Sequence, residues 1–399
     1  MCGMAKNIKK PAPKKVPKSS SPRPVHPAIL EIAPYKPGQS SLPGGKKPIK
    51  LSSNENPFGA SAATLRAMRE VLDRQHRYPD GSCGVLRAAI GERHGLDASR
   101  IVCGAGSDEL LALLAQGYAG AGDEVLYSAH GFLIYPIAAI RVGAKPVAAP
   151  EKNLKADVGA LLASVTRNTK MVFIANPNNP TGSYLTRTEM KKLREGLPPH
   201  VLLVIDAAYA EYVTAEDYSP GNELVDAGEN TVVTRTFSKI YGLGGLRLGW
   251  AYCPVSVADC LNRLRGPFNV SDMAQAAGAA AIGDTGFEEK TRQHNTMWRE
   301  RLAAKLEAMG LKVYPSQGNF LLVDFDGTGS GAQDAGKKGK SQITNHESRA
   351  TAADALLKSS GIIVRRMETY GLPSCLRITI GTAEENSALL AVLKAFCQK

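Results

Sequence analysis

The residue best placed for covalent chemistry in this chain is a lysine framed by hydroxyls and an arginine. Thr236-Phe237-Ser238-Lys239 is followed by Gly242-Leu243-Gly244-Gly245 and then by Arg247. An amine so framed can hold an aldehyde as a Schiff base, while the hydroxyls and the guanidinium grip a phosphate. Alone the pattern is weak. A Ser-Lys pair is more often a solvated lysine after a turn, and glycines often mean only a tight loop. Its meaning depends on whether other residues supply the remaining contacts.

Four further stretches could supply them. Val201-Leu202-Leu203-Val204-Ile205-Asp206 is five apolar residues and then a carboxylate. A strand covered on both faces leaves a charge only at its end, and the carboxyl ends of strands are where open α/β sheets bind ligands. Asp206 would there bond a pyridinium nitrogen and keep it protonated; the same residue would serve equally as the cap of the next helix. Tyr209, three residues on, falls near the same place. Asn176-Pro177-Asn178-Asn179-Pro180-Thr181-Gly182 follows another apolar strand and reads as a rigid turn, one that could also hold the Asn179 amide against a ring oxygen. Gly104-Ala105-Gly106-Ser107-Asp108-Glu109 follows the strand Ile101–Cys103. Ser107 reads as a helix N-cap whose free amides suit a phosphate, beside the simpler reading of an ordinary capped helix. In Ser374–Gly381, Leu376, Ile378 and Ile380 share one strand face, so Arg377 points to the other, where it could grip a carboxylate in two places. Arg365 and Arg366 are neighbours on a strand, so only one can enter the same site. A cofactor that combines an aldehyde with a phosphate is pyridoxal 5'-phosphate.

The elements that must position these residues are legible as apolar runs: Ile101–Cys103, Glu124–Tyr127, Met171–Ala175, Val201–Ile205 and Thr231–Thr234. Helical patterns between several of them indicate an α/β fold with a mostly parallel sheet. A break follows Asn269; a long helical stretch, roughly Ser271 to Met309, leads to strands near Phe320–Phe325, Ile362–Arg366 and Leu376–Ile380. The chain is therefore divided into a disordered basic tail (1–27), an arm (28–56), a large domain (57–270) and a small C-terminal αβ domain (271–399). A Gly/Lys/Ser-rich insertion at 326–350 reads as a flexible loop. Its Gly331–Lys338 run matches most of a P-loop but lacks the Ser/Thr and the helix, and is treated as a coincidence.

Composition narrows the function classes. At 399 residues, with 43% hydrophobic and 22% charged residues, the chain reads as a soluble globular protein. No apolar run approaches the roughly 18 residues of a membrane helix. The net charge of +12 suggests nucleic acid until it is located: the first 50 residues carry +10, leaving +2 for the other 349. The basicity belongs to a tail and not to a groove. That tail lacks the apolar core of a secretory signal, while an organellar transit peptide is harder to exclude. Seven scattered cysteines without C-x-x-C spacing argue for a reducing compartment, and the seven dispersed histidines suggest no metal cluster.

Set in order, these stretches resemble fold type I pyridoxal-phosphate aminotransferases, and among them the histidinol-phosphate aminotransferase family, from about Ile29 to Phe396. The combination of N-P-N-N-P-T-G, T-F-S-K and L-R-I-T-I-G carries the likeness. The resemblance implies a large cofactor-binding domain with a mostly parallel seven-stranded sheet, a smaller C-terminal αβ domain and an N-terminal arm. It implies Lys239 as the Schiff-base lysine and acid/base, Asp206 on the pyridine nitrogen, and Asn179 and Tyr209 on the ring oxygen. Ser107, Asp108 (through backbone amides), Thr236, Ser238 and Arg247 would surround the phosphate, and Phe132, in His130–Tyr135, would stack on the ring. Tyr78 would reach the partner subunit's cofactor in a homodimer. Arg377 would take a carboxylate, with Tyr35 and Arg365 facing the substrate's distal phosphate. The expected reaction is transamination of L-histidinol phosphate with 2-oxoglutarate in the cytoplasm, with neither nucleic acid nor membrane as partner. An aromatic amino-acid aminotransferase, a decarboxylase of a phosphorylated amino acid and a basic-tailed scaffold protein are the alternatives.

Overall fold

A computed structural model describes residues 27–34, 39–43, 47–327 and 348–398. The basic tail up to residue 26, Tyr35, the P-loop-like run and most of the 326–350 insertion lie outside the described residues.

The strands, in chain order, are β1 (Ile49–Lys50), β2 (Ile101–Gly104), β3 (Glu124–Ser128), β4 (Lys145–Ala149), β5 (Glu151–Lys152), β6 (Lys155–Ala156), β7 (Thr169–Ala175) and β8 (Leu202–Asp206). They continue with β9 (Thr231–Thr236), β10 (Gly249–Tyr252), β11 (Lys312–Tyr314), β12 (Phe320–Asp324), β13 (Ile362–Ile363), β14 (Arg365–Arg366) and β15 (Cys375–Thr379). Seven of them form one sheet in the order β2-β10-β9-β8-β7-β3-β4. The pairs from β9 to β4 are parallel, and β10 runs antiparallel to both of its neighbours. Alternate residues of each strand enter opposite cores. Val172, Ile174, Leu203, Ile205 and Val233 face one side, while Met171, Phe173, Leu202, Val204 and Val232 face the other. A sheet buried on both faces reads as continuous apolar strands, which is why these were visible in the sequence.

Two strands were not. β4 is an edge strand, half exposed and carrying Pro146, and β10 is only four residues long. Because β10 is reversed, its amino end lies at the edge where the parallel strands have their carboxyl ends. Arg247, just before β10, is thereby brought to the residues that follow β2, β8 and β9.

The second sheet has the order β11-β12-β15-β14 and is antiparallel throughout. Its core includes Leu321, Val323, Leu376, Ile378 and Ile380 together with Trp298, Leu302 and Leu306. The arm enters here. β1 pairs in parallel with β13, the Leu51 N–H donates to the Ile363 carbonyl, and the Thr379 N–H donates to the Leu51 carbonyl. The stretch expected as one long helix is two, Asp272–Gly283 and Thr285–Glu307. Asp284 separates them, outside helical geometry at ψ 68°, and its side chain caps the second helix by accepting from the Phe287 N–H. The first of the pair, on the C-terminal side of the expected boundary, buries Ala274, Ala277 and Ala281 in the large-sheet core.

Candidate active site

Every residue singled out from the sequence as a site candidate, apart from Tyr78 and Tyr35, lines one cavity of about 300 Å³. The cavity lies at the carboxyl edge of the parallel strands and is closed on its far side by β14 and β15.

Asp206 ends β8 with its side chain buried. The Tyr135 hydroxyl donates to Asp206 Oδ2 at 2.9 Å, and Oδ1 has no hydrogen-bond partner among the described residues. Burial pushes the carboxyl up to about 6, held back by the Tyr135 bond and pushed further by the Asp108 charge. Lys239 is the counterpart. Burial first, and then the nearby Arg377, lowers its amine to about 8, against the pull of Asp108 and Glu55. Its Nζ lies 5.7 Å from the centre of the Tyr209 ring.

One corner is built for an anion. The helix Ser107–Tyr118 opens on it, with Asp108 and Glu109 in the first turn. Ser107 is not the cap expected from the sequence. It is the first helical residue, and Gly106 is the cap, at φ +87° with no side chain to offer. Glycine is required there by the backbone, and a methyl group would also lie 2.4 Å from Arg247 Nη2 and push the guanidinium aside. Gly249 is constrained likewise, since a methyl there would meet the Ser107 nitrogen at 2.4 Å. Arg247 Nη2 pairs with Asp108 Oδ2 at 3.3 Å, and Nη1 donates to Ser238 Oγ at 3.4 Å. Thr236 Oγ1 accepts from the Ser238 N–H at 3.1 Å, fixing the loop that leads to Lys239.

A second cationic corner faces it. Arg365 and Arg377 are direct partners across the β14–β15 pair, so the two side chains share one face of the sheet, and both line the cavity. As expected, only one of the neighbours Arg365 and Arg366 enters. Arg366 instead donates to Thr351 Oγ1 at 2.7 Å and pairs with Glu368. Arg377 Nη1 donates to Asn179 Oδ1 at 2.5 Å, and Nη2 donates to the Ser52 carbonyl at 2.9 Å. Asn179 is held by a turn whose Asn176–Pro177 and Asn179–Pro180 bonds are both cis. Tyr209 accepts from Asn54 Nδ2 at 2.8 Å, and Phe132 lines the cavity beside Tyr135.

Tyr78 is elsewhere. It is 83% exposed and stacked on Phe268 at 4.7 Å. Sequence reasoning missed Tyr135, Asn54, Glu55 and Tyr370, all in or bordering the cavity. Tyr135 stands in the same short stretch as Phe132, and Asn54 and Glu55 stand in the Ser53–Pro57 segment. Tyr135, three residues from Phe132, and Tyr370, five from Arg365, stand close to residues already chosen, whereas no candidate had been chosen near Asn54 and Glu55.

The residues present fit a pyridoxal phosphate. A buried carboxylate oxygen without a partner matches a ring N–H, a buried near-neutral amine matches an aldehyde, and the Arg247 corner matches a phosphate. Among the described residues no helix is long and apolar enough to cross a membrane.

Comparison with known proteins agrees with this geometry. A family model described as "Aminotransferase class I and II" matches residues 46–393. A histidinol-phosphate aminotransferase of Paramagnetospirillum magneticum is 56% identical over 93% of this chain and 97% of its own. One of Rhodospirillum centenum is 55% identical over 90% of this chain and 94% of its own. Among solved structures, histidinol-phosphate aminotransferase from Sinorhizobium meliloti in complex with pyridoxal-5'-phosphate superposes with a TM-score of 0.82 at 27% identity, covering 95% of this chain and 99% of that one.

Proposed function

Since the chain belongs to the histidinol-phosphate aminotransferases of aminotransferase class I and II, with fold type I, we propose that its cavity transfers the amino group of L-histidinol phosphate to 2-oxoglutarate. The products are imidazole acetol phosphate and glutamate, and the step belongs to histidine biosynthesis. The observation that carries this reading is a single cavity with two separate cationic corners. Arg247 and the helix end serve the cofactor's phosphate, and the facing Arg365 and Arg377 serve the anionic end of a substrate.

Bound in this cavity, pyridoxal 5'-phosphate supplies an aldehyde for the substrate's amine and a ring that spreads the charge left when a proton departs. The chain's own residues do the rest. Asp206 Oδ1 would hold the ring N–H, with Tyr135 fixing the carboxylate through its other oxygen. Asn179 and Tyr209 would donate to the ring oxygen, and Phe132 would cover a ring face. Ser107, Asp108, Thr236 and Ser238 complete the phosphate corner around Arg247. Lys239 Nζ, with its amine lowered to about 8, is neutral often enough near that pH to take the proton from the substrate carbon that bears nitrogen. The same amine returns the proton. Arg377 and Arg365 fix the substrate's phosphate in one half of the cycle and the oxo-acid's carboxylate in the other.

The exposed Tyr78–Phe268 stack supports a homodimer in which Tyr78 reaches the partner subunit's phosphate corner. A cytoplasmic location suits a chain whose six described cysteines are all free. The division into 57–270 and 271–399 is likewise proposed, with Lys239 and Asp206 in the first part and Arg365 and Arg377 in the second.

The test is a single-turnover half-reaction. Mixing the cofactor-loaded protein with L-histidinol phosphate should exhaust the visible absorbance at a rate well above that with phenylalanine or tyrosine. No reaction with histidinol phosphate, alongside ready reaction with the aromatic amino acids, would overturn the assignment.

A further inference from the structure

We infer that Asn54 is a positioning residue for the amino transfer, fixing the Tyr209 hydroxyl so that its proton points into the cavity. The inference rests on the reading above, in which Tyr209 faces the ring oxygen.

Asn54 lies in the segment that leaves β1, and none of the roles above uses it. It is fully buried, and its backbone is left-handed at φ 55°, a conformation that asparagine tolerates better than most side chains. Hydrogen bonds hold it on every side. Its N–H donates to Thr379 Oγ1 at 3.0 Å, and its carbonyl accepts from Asn319 Nδ2 at 3.0 Å. The Thr379 hydroxyl, having accepted that bond, donates its own proton to Asn54 Oδ1 at 3.1 Å. With Oδ1 taken by Thr379, the atom left facing Tyr209 is Nδ2, 2.8 Å from the phenol oxygen.

An amide nitrogen can only donate. The Tyr209 oxygen is therefore the acceptor in this bond, and its single proton must go elsewhere. Among the described residues no acceptor takes it, and the residue lines the cavity. A serine or a water at the same place could donate or accept, leaving the hydroxyl free to turn. Asn54 removes that freedom.

The device also reaches the second sheet. Thr379 lies two residues beyond Arg377 on β15, hence on the same face, and Arg377 donates to the Ser52 carbonyl. The strand that carries Arg377 thus grips this segment at Ser52 and again at Asn54. The direction of the Tyr209 proton is set from the sheet that carries the substrate arginines.

The experiment is a spectrophotometric pH titration of the cofactor-loaded protein. The visible absorbance follows the proton shared between the Lys239 nitrogen and the ring oxygen. A donor to that oxygen stabilises the deprotonated state and holds the midpoint low. Asn54→Asp keeps size and backbone tolerance, but an ionised carboxylate only accepts, so it draws the Tyr209 proton away from the cavity. Its midpoint should rise by about one pH unit, a tenfold change. Tyr209→Phe should match it, with no further rise in the double variant. Asn54→Gly, which keeps the left-handed backbone and only frees the hydroxyl, should give a smaller rise, and it carries the test alone should the Asp variant fail to fold. An unmoved midpoint in the folded Asn54 variants, with Tyr209→Phe shifted, overturns the inference, as do shifts that add in the double variant. An unmoved Tyr209→Phe overturns it differently, by removing the ring-oxygen reading beneath it.

Discussion

Replacing Asp206 by asparagine should stabilise the cofactor-free protein while weakening its hold on the cofactor. Burial raises this carboxyl from 3.8 to about 6. Below the lower value both folded and unfolded chains carry the proton, between the two only the folded chain does, and above the upper one neither does. The folded chain binds more protons inside that window, so stability falls as pH rises through it and stays lowered above it. A gap of about 2 pH units corresponds to about 3 kcal/mol. The Asp206→Asn side chain would be uncharged and would still offer an oxygen to the Tyr135 hydroxyl, but its NH₂ group could lack an acceptor, at about 1–2 kcal/mol. The net expectation is a variant about 1–2 kcal/mol more stable than the parent at pH 8, with the advantage gone at pH 4. Urea unfolding of both cofactor-free proteins at one concentration measures this. Saturating pyridoxal phosphate should then stabilise the parent much more than the variant. A variant clearly less stable than the parent at pH 8, with no cofactor present, would refute the argument that the buried carboxylate is a burden awaiting its ring nitrogen.

Further expectations follow from other parts of the molecule. If Tyr78 serves the partner subunit, mixing inactive Lys239→Ala and Tyr78→Ala chains should restore about a quarter of parental activity, because half the dimers are mixed and each has one intact site; no recovery would place Tyr78 outside the shared site. Arg377→Lys should lower kcat/KM for both histidinol phosphate and 2-oxoglutarate by about 10- to 100-fold, since an ammonium cannot copy the two-point grip. Steady-state kinetics with both substrates would show it, and a loss confined to one would separate the two anion sites. Glu211 and Arg235 form a buried pair at 2.7 Å with both side chains 4% exposed, so Glu211→Leu should cost about 3–5 kcal/mol in urea unfolding by stranding the guanidinium. The double change with Arg235→Met should recover most of that loss.

Much of this site could be read from the chain because its strands announce themselves. Leu202–Ile205 is wholly buried and apolar, so the charge of Asp206 had to fall at a strand end, and strand ends gather where a parallel sheet binds ligands. Arg377 was legible through the alternation of Leu376, Ile378 and Ile380, which fill the second core while the arginine faces the cavity. What escaped was long-range or geometric. The Tyr135 bond to Asp206 spans 71 positions and that of Asn54 to Tyr209 spans 155, separations over which no local periodicity operates. Ser107 was displaced by one residue from its expected role because Gly106, at positive φ, makes the turn into the helix. The break at Asp284 was marked by Gly283, Gly286 and a capping carboxylate, but the apolar, helix-forming stretches on either side ran together across it.

The central claim is that Lys239 holds the cofactor's aldehyde, and borohydride tests it most directly. The protein would be loaded with pyridoxal phosphate, reduced, digested and analysed by mass spectrometry. The account predicts one stoichiometric pyridoxyl adduct, on the peptide containing Lys239, with the visible absorbance bleached in step and both lost in Lys239→Ala. An adduct spread over surface lysines, or a Lys239→Ala protein that still bleaches in proportion, would contradict it.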